Sequence, residues 1–367
     1  MIKINGKYSS ADVFSDTADW KALSQIEELC SQEFTSGANI RIMPDYHYGA
    51  GCTIGFTANL GDKVVPNLVG VDIGCGVLAM HFPNNGKIDF AGFDEFLRAN
   101  VPSGFCSRTN ILGNLIELDS IICYEHLTNK DRFSLQIGTL GGGNHFIEID
   151  ENEDGERFLV IHSGSRNLGK QVAEYYQAQA VRYCLDNGIS VSQNLAYLEG
   201  DMRDNYLHDM RICQKYAELN RRWIGTLLME FLDGKSELSM AIESVHNYIG
   251  DDNIIRKGAV ASLKNELLII PINMRDGSLL CRGKSNADWN FSAPHGAGRI
   301  LGRGEAKRVL SVEEFQETMG GVFSTTVGQS TLDEAPDAYK PMDEIVSNIG
   351  DTVEILQIIK PIYNFKA

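Results

Sequence analysis

Four stretches of the chain concentrate aliphatic side chains: residues 63–74 (KVVPNLVGVDIG), 157–164 (RFLVIHSG), 266–273 (ELLIIPIN) and 352–365 (TVEILQIIKPIYNF). Their Val, Ile and Leu content predicts strands. Residues 168–185 and 211–232 predict helices. In the second, Tyr216, Leu219, Trp223, Leu227 and Phe231 recur every three or four positions and predict a buried stripe. SVEEF at 311–315 predicts an N-capped helix start. Strand and helix segments alternate irregularly. That predicts an α+β domain of mixed β-sheets flanked by helices, and not a doubly wound sheet. No repeat, low-complexity tract or Pro/Ser-rich linker divides the sequence, so one domain is expected over 1–367.

The 367 residues are 43% hydrophobic and 22% charged, ordinary proportions for a soluble enzyme with a core that needs no covalent staples. No apolar run reaches the roughly 18–20 residues of a membrane span. The first residues, MIKINGKYSSADVFSD, hold no apolar signal core, so a cytoplasmic protein is expected. Cysteines 30, 52, 75, 106, 123, 184, 213 and 281 form no CxxC pair and read as reduced thiols. The net charge of −16 argues against a general polyanion binder. It is unevenly spread: residues 256–308 carry 10 Lys+Arg and 4 Asp+Glu, whereas 311–367 carry 3 and 10. The basic stretch fits either a local nucleic-acid or nucleotide face or an ordinary solvated surface.

Candidate chemistry concentrates in glycine- and asparagine-rich turns. Asp72 and Cys75 share the glycine-framed segment VGVDIGCG. Five of the eight histidines lie in similar settings: His47 (PDYHYGAG), His145 (GGGNHFIE), His162 (VIHSGSR), His246 (SVHNYIG) and His295 (APHGAGR). A histidine fixed by hydrogen bonds within the fold is the ordinary reading of any one. Five in one kind of context point to a cleft. His81, His126 and His208 lack that context and read as structural or surface residues. Carboxylate, thiolate and imidazole together suit zinc, iron or manganese, and spacing does not choose among them. A thiolate between two ions can bridge them, and paired ions suit phosphoryl chemistry. TLGGGNH (139–145) is either an anion-binding nest or a plain connecting turn. No G-x-x-x-x-G-K-[ST] sequence is present, which removes P-loop chemistry. A histidine with open surroundings can attack phosphorus.

In order along the chain, MPDYHYGAGCTIG, VVPNLVGVDIGCG, IGTLGGGNHFIEID, VIHSGSRNLG, YAELNRR, HNY, RKGA, APHGAGR, EAPDAYKPMDEIV and IIKPIYNFKA resemble the RtcB family of RNA ligases. The resemblance implies a single RtcB-like domain with its active site in a central cleft. It implies a GTP- and Mn2+-dependent enzyme that joins an RNA 3′-phosphate or 2′,3′-cyclic phosphate to a 5′-hydroxyl. On that pattern Asp72, Cys75, His145, His162 and His246 would hold two Mn2+ ions, with Cys75 bridging. His295 would carry GMP, and Asp45 would orient it. Guanylate-contacting positions would be Asn144, His145, Phe146, Ile147, Glu148, His246, Asn247, Gly296, Ala297, Gly298, Tyr339 and Lys366. The segment Pro271, Ile272, Asn273, Met274 with Ser278 would join them.

The chain departs from the family in that last segment, where relatives carry P-G-S-M, and again in CRGKSNADWNF (281–291). Arg275, Arg282 and Lys284 there are candidates for RNA contact. The terminus reads Lys366-Ala367 where K-G is usual. A compact, divergent bacterial-type member is expected, a monomer acting in RNA repair rather than tRNA splicing. The alternatives are a metal-dependent RNA phosphoesterase that opens cyclic ends without sealing, and a non-catalytic RNA-binding relative.

Overall fold

The computed structural model describes residues 1–83, 86–113, 116–233 and 241–367. A six-stranded sheet runs β1 (Ile2–Asn5), β2 (Ser10–Val13), β3 (Ile40–His47), β4 (Ile54–Ala58), β10 (Ile255–Lys257) and β9 (Tyr248–Ile249). It is mixed, because β2 and β3 pair parallel while the other pairs are antiparallel. Helices α1 (Trp20–Cys30), α4 (Arg166–Asp186) and α5 (Gly200–Asp233) supply much of the apolar core that covers it. The Asp19 carboxylate starts α1 by accepting from the backbone N–H of Lys21 and Ala22, a cap worth about 1 kcal/mol.

The second sheet has seven strands, all antiparallel, in the order β12 (Leu267–Asn273), β13 (Gly277–Gly283), β15 (Val353–Lys366), β6 (Phe146–Glu151), β7 (Arg157–Ser163), β5 (Gly76–Phe82) and β8 (Ala241–Val245). Its edges β12 and β8 pack together, and Ile269 N donates to Ser244 Oγ at 2.8 Å, so the sheet nearly closes into a barrel. Strand alternation sends successive side chains to opposite sides. Val77, Ala79, Phe146, Phe158, Val160, Ile242, Ile269, Leu280 and Ile359 fill the inside. Ile147, Ile149, Leu159 and Ile161 face outward, onto Ile224 and Leu228 of α5 and onto Phe93 and Leu97 of α2 (Phe90–Asn100).

The remaining elements frame the barrel mouth. Strands β11 (Ala259–Ala261) and β14 (Ser292–Pro294) form a short ribbon that leads into His295. Helix α8 (Met342–Ile349) packs Ile345 and Ile349 against β12 and β13. Short helices α3 (Asp131–Gln136), α6 (Arg303–Val309) and α7 (Val312–Thr318) complete the set. Ser311 caps α7 through Glu314 N, as SVEEF predicts. The predicted strands at 157–164, 266–273 and 352–365 are present.

Two expectations are corrected. Residues 63–74 are not a strand: a 3₁₀ turn spans Pro66–Leu68, and the next strand begins only at Gly76. Pro66 offers no N–H to a ladder, and Gly70 and Gly74 turn left-handed. The expected stripe of α5 is also rotated. Cys213, Tyr216, Ala217, Asn220, Arg221, Ile224 and Leu228 are fully buried, while Phe231 is 39% exposed. Two polar residues displace apolar ones from the inward face, and both brace the site described next.

Candidate metal centre and nucleotide cleft

The turn carrying Asp72 and Cys75 depends on glycine. Gly74 has φ +69°, and a Cβ there would lie 2.8 Å from Gln214 Cα of α5. Gly164 has a similar constraint, since a Cβ would fall 2.2 Å from Asp72 Oδ1. Its absence lets Ser165 N donate to that oxygen at 3.1 Å. Asn247, at φ +64°, ties the turn to its surroundings. Its Nδ2 donates to Asp72 O, its carbonyl accepts from Gly74 N, and its Oδ1 accepts from Gly258 N.

Donor atoms from three other segments converge on this turn. Cys75 Sγ lies 3.2 Å from His162 Nε2 and 3.5 Å from His145 Nε2. His145 Nε2 is 3.0 Å from Asp72 Oδ2, and His162 Nε2 is 3.4 Å from His246 Nε2. Cys75, His145, His162 and His246 are all at most 4% exposed. His145 Nδ1 donates to Leu140 O at 2.8 Å, and His162 Nδ1 donates to Asn144 O at 3.1 Å. Those bonds leave both Nε2 atoms as lone-pair donors aimed at the thiol. A carboxylate oxygen and an imidazole lone pair 3.0 Å apart repel unless a proton or a cation lies between them. The donor set therefore fits a metal.

Among the described residues two groups bring their ligand atoms within 4.8 Å of one another, Asp72–Cys75–His145 and Cys75–His162–His246, and Cys75 belongs to both. Burial, with Asp72 beside it, pushes the Cys75 thiol well above its ordinary range. Burial holds His162 and His246 well below theirs. Burial also pushes Asp72 upward, but a proton on His145 Nε2 at their 3.0 Å contact outweighs it and holds the carboxyl at about 2, the place a bound cation would take. Neutral imidazoles and an ionised carboxylate are the forms that bind a cation.

His295 stands next to this cluster, its ring 4.8 Å from that of His246. Asp45, with no solvent exposure, receives His295 Nδ1–H at 2.6 Å on Oδ2. The same oxygen accepts from the backbone N–H of His295 and Gly296, each at 3.2 Å. His295 Nε2 is thereby left as the lone-pair atom, on a side chain 16% exposed. His47, the fifth candidate histidine, lies behind the site with Nδ1 donating to Asp45 O. His126 stacks on Tyr175 and His208 binds Asp209, outside the site as expected.

A cleft of about 320 Å³ opens onto these groups. Asp72, Cys75, Asn144, His246, Asn247, Lys257 and His295 are among its lining residues. At the barrel mouth, Lys366 Nζ lies 5.1 Å from the Phe146 ring, 3.1 Å from Asn144 O and 2.8 Å from Glu334 Oε2. Tyr339 OH donates to the same Glu334 oxygen at 2.6 Å. Inside the barrel, Asn364 Nδ2 donates to Glu148 Oε1 at 2.6 Å.

The other candidate positions are placed differently. Ile147 points to the outer face of β6, into the core. Ile272 and Ala297 pack in the α8 cluster, and Met274 packs with Phe315 and Met319. Asn273 binds its own turn, through Arg275 N, Asp276 N and the Asp276 carboxylate. Ser278 is fully buried in the barrel. Pro271 O lies close to Gly296, and Gly298 (φ +77°) has no room for a Cβ beside Asp45 O.

The basic stretch is not a free surface. Arg256 pairs with Asp252, Arg275 with Asp276 and Arg282 with Glu354. Arg299, Arg303 and Lys307 pair with Asp333 and Glu334, and Lys284 donates to Gly350 O. Much of its charge is therefore answered by the acidic C-terminal part.

Four residues that the sequence did not single out support the site. Asn220 accepts from Gly138 N and Thr139 N and donates to Ser163 Oγ. Arg221 donates to Gly74 O and Ser163 O and pairs with Glu243. Lys257 donates to Ala50 O and Asn67 O at the cleft wall. Glu334 collects Lys366, Arg299, Arg303 and Tyr339. The available signal for the first two was their place in the motif YAELNRR (216–222).

No helix among the described residues is long and apolar enough to cross a membrane. Residues 25–367 match the family model described as tRNA-splicing ligase RtcB. The chain is 31% identical over 369 aligned positions to the Escherichia coli K12 protein named RNA-splicing ligase RtcB, covering 88% of this chain and 89% of that one. It is 28% identical over 400 positions to the Nanoarchaeum equitans protein named tRNA-splicing ligase RtcB, covering 83% of each.

Proposed function

The chain belongs to the RtcB family of RNA ligases, and on that premise we propose that it joins RNA 3′-phosphate or 2′,3′-cyclic phosphate ends to 5′-hydroxyl ends, using GTP and Mn2+. The observation that carries this reading is the pairing of a lone-pair His295 Nε2, fixed by Asp45, with an O/N/S ligand set one ring away, its Cys and His members buried and Asp72 half-buried. Asp72, Cys75, His145, His162 and His246 are the residues that would hold two Mn2+ ions. When bound, such ions supply positive charge toward phosphate oxygens.

The chain's own residues have definite parts. His295 Nε2 attacks the α-phosphorus of GTP, a P–N bond forms and pyrophosphate leaves. Asp45 retains the Nδ1 proton and stabilises the positive charge that develops on the ring. The guanylyl group then passes to the RNA 3′-phosphate, restoring the imidazole. The 5′-hydroxyl attacks that activated phosphate, and GMP leaves. A cyclic end is first opened by water. The guanylate reading draws support from Asn144, Phe146, Tyr339 and Lys366, which gather at the barrel mouth beside Glu334, with Glu148 one layer below Phe146 inside the barrel. All eight cysteines are free thiols, which supports a reducing, cytoplasmic setting.

The test is incubation with Mn2+ and α-phosphate-labelled GTP, followed by ligation of nicked RNAs. An acid-labile protein–GMP adduct, absent from His295→Ala, is expected together with sealed product. Opening of cyclic ends without sealing, and without any effect of GTP, would replace the ligase with the phosphoesterase reading.

A further inference from the structure

Asp150 is fully buried, and neither of its carboxylate oxygens has a hydrogen-bond partner. It lies on the inward face of β6 below Phe146 and Glu148. The register defines three layers. Phe146 pairs with His162 on β7 and Lys366 on β15; Glu148 pairs with Val160 and Asn364; Asp150 pairs with Phe158 and Pro361. Glu148 and Asp150 are two residues apart on one face, about 7 Å along the strand. That spacing is within reach of one glutamate and one aspartate side chain.

The walls offer little else. Phe158, Val160, Leu280 and Ile359 are apolar, and Ser278 Oγ is itself unpartnered. From β15, Lys366 acts on Glu148 and Asn364 binds it; from β7, His162 lies one layer above. Two buried carboxylates beside each other with one cation at the rim cannot both be ionised. Burial, and then the charge of Glu148, raises Asp150 well above its ordinary range; burial raises Glu148 as well. A neutral Asp150 needs an acceptor for its O–H, and Glu148 is the charged acceptor nearest to it along the strand.

We propose that Asp150 is a positioning residue for base recognition: it shares one proton with Glu148, so that the pair carries a single negative charge and the outer edge of Glu148 accepts the N1–H and 2-amino group of guanine. This rests on the guanylate reading above. Full protonation of the pair removes the acceptor. Loss of the shared proton puts two charges in the barrel.

The experiment is the pH dependence of the GTP KM for adduct formation, with GTP, ITP and ATP compared in wild type, Asp150→Asn and Glu148→Gln. Wild type should show tightest GTP use in a window bounded on both sides. Asp150→Asn keeps a donor but no titrating partner. Its alkaline limb should vanish and its acid limb should move to lower pH, with the preference for GTP over ATP retained. A profile identical to wild type overturns the inference. If Glu148→Gln leaves discrimination between GTP and ATP unchanged, the guanylate reading itself has failed. Should Asp150→Asn not fold, wild-type infrared difference spectra at pH 7 decide. A protonated-carboxyl band that shifts on adding GDP supports the shared proton, and its absence overturns it.

Discussion

His295 Nδ1 and Asp45 Oδ2 lie 2.6 Å apart although 250 positions separate them in the chain. The carboxylate also receives two backbone N–H groups of the same loop, so it fixes both the position and the tautomer of the ring. Asp45→Asn should therefore fold but present the wrong imidazole nitrogen in part of the molecules. Adduct formation should slow by about 10²–10⁴-fold, while metal content stays unchanged. Single-turnover labelling and metal analysis of the same sample check this.

Cys75 is the ligand common to both candidate sets. Cys75→Ala should lower bound metal by more than His246→Ala does, because only the first change touches both groups. Metal analysis after dialysis against Mn2+ tests the difference. Equal losses would mean that the sulfur does not bridge.

Arg221 is fully buried, and its partner Glu243 is largely so. Arg221→Met leaves the carbonyls of Gly74 and Ser163 without their guanidinium donor and Glu243 with the more distant Arg222, at 3.7 Å. A loss of about 3 kcal/mol in unfolding free energy is expected, read from denaturant midpoints. Weaker Mn2+ binding should accompany it, since Gly74 precedes the ligand Cys75.

Burial pushes Glu334 upward, but Lys366, Arg303 and Arg299 outweigh it and hold it at about 2, against an ordinary 4.5. Because the folded value is the lower one, its contribution is complete above about pH 4.5. It is lost as the pH falls through about 2. The difference corresponds to about 3 kcal/mol. Glu334→Gln should flatten the acid side of the stability curve, measured by thermal unfolding across that range. An unchanged acid limb would show that other groups dominate it.

By itself the sequence determined the strands at 157–164, 266–273 and 352–365, the two long helices and the candidate ligands. Periodicity and composition are local properties, and D-x-x-C, GGGNH and HGAGR keep their chemistry within a few residues. The path of 63–74 was hidden because its apolar content outweighed the signals of Pro66, Gly70 and Gly74. The buried face of α5 was hidden for a related reason: Asn220 and Arg221 read as solvent-facing until Gly74, Gly138 and Ser163 are seen to need their hydrogen bonds. The charge of 256–308 read either as a ligand face or as solvated surface until folding set Asp333, Glu334 and Glu354 against much of it. Only the tertiary structure decided these points, because which donors, acceptors and charges meet depends on strand register and barrel closure, and those bring together residues that no short window of sequence contains.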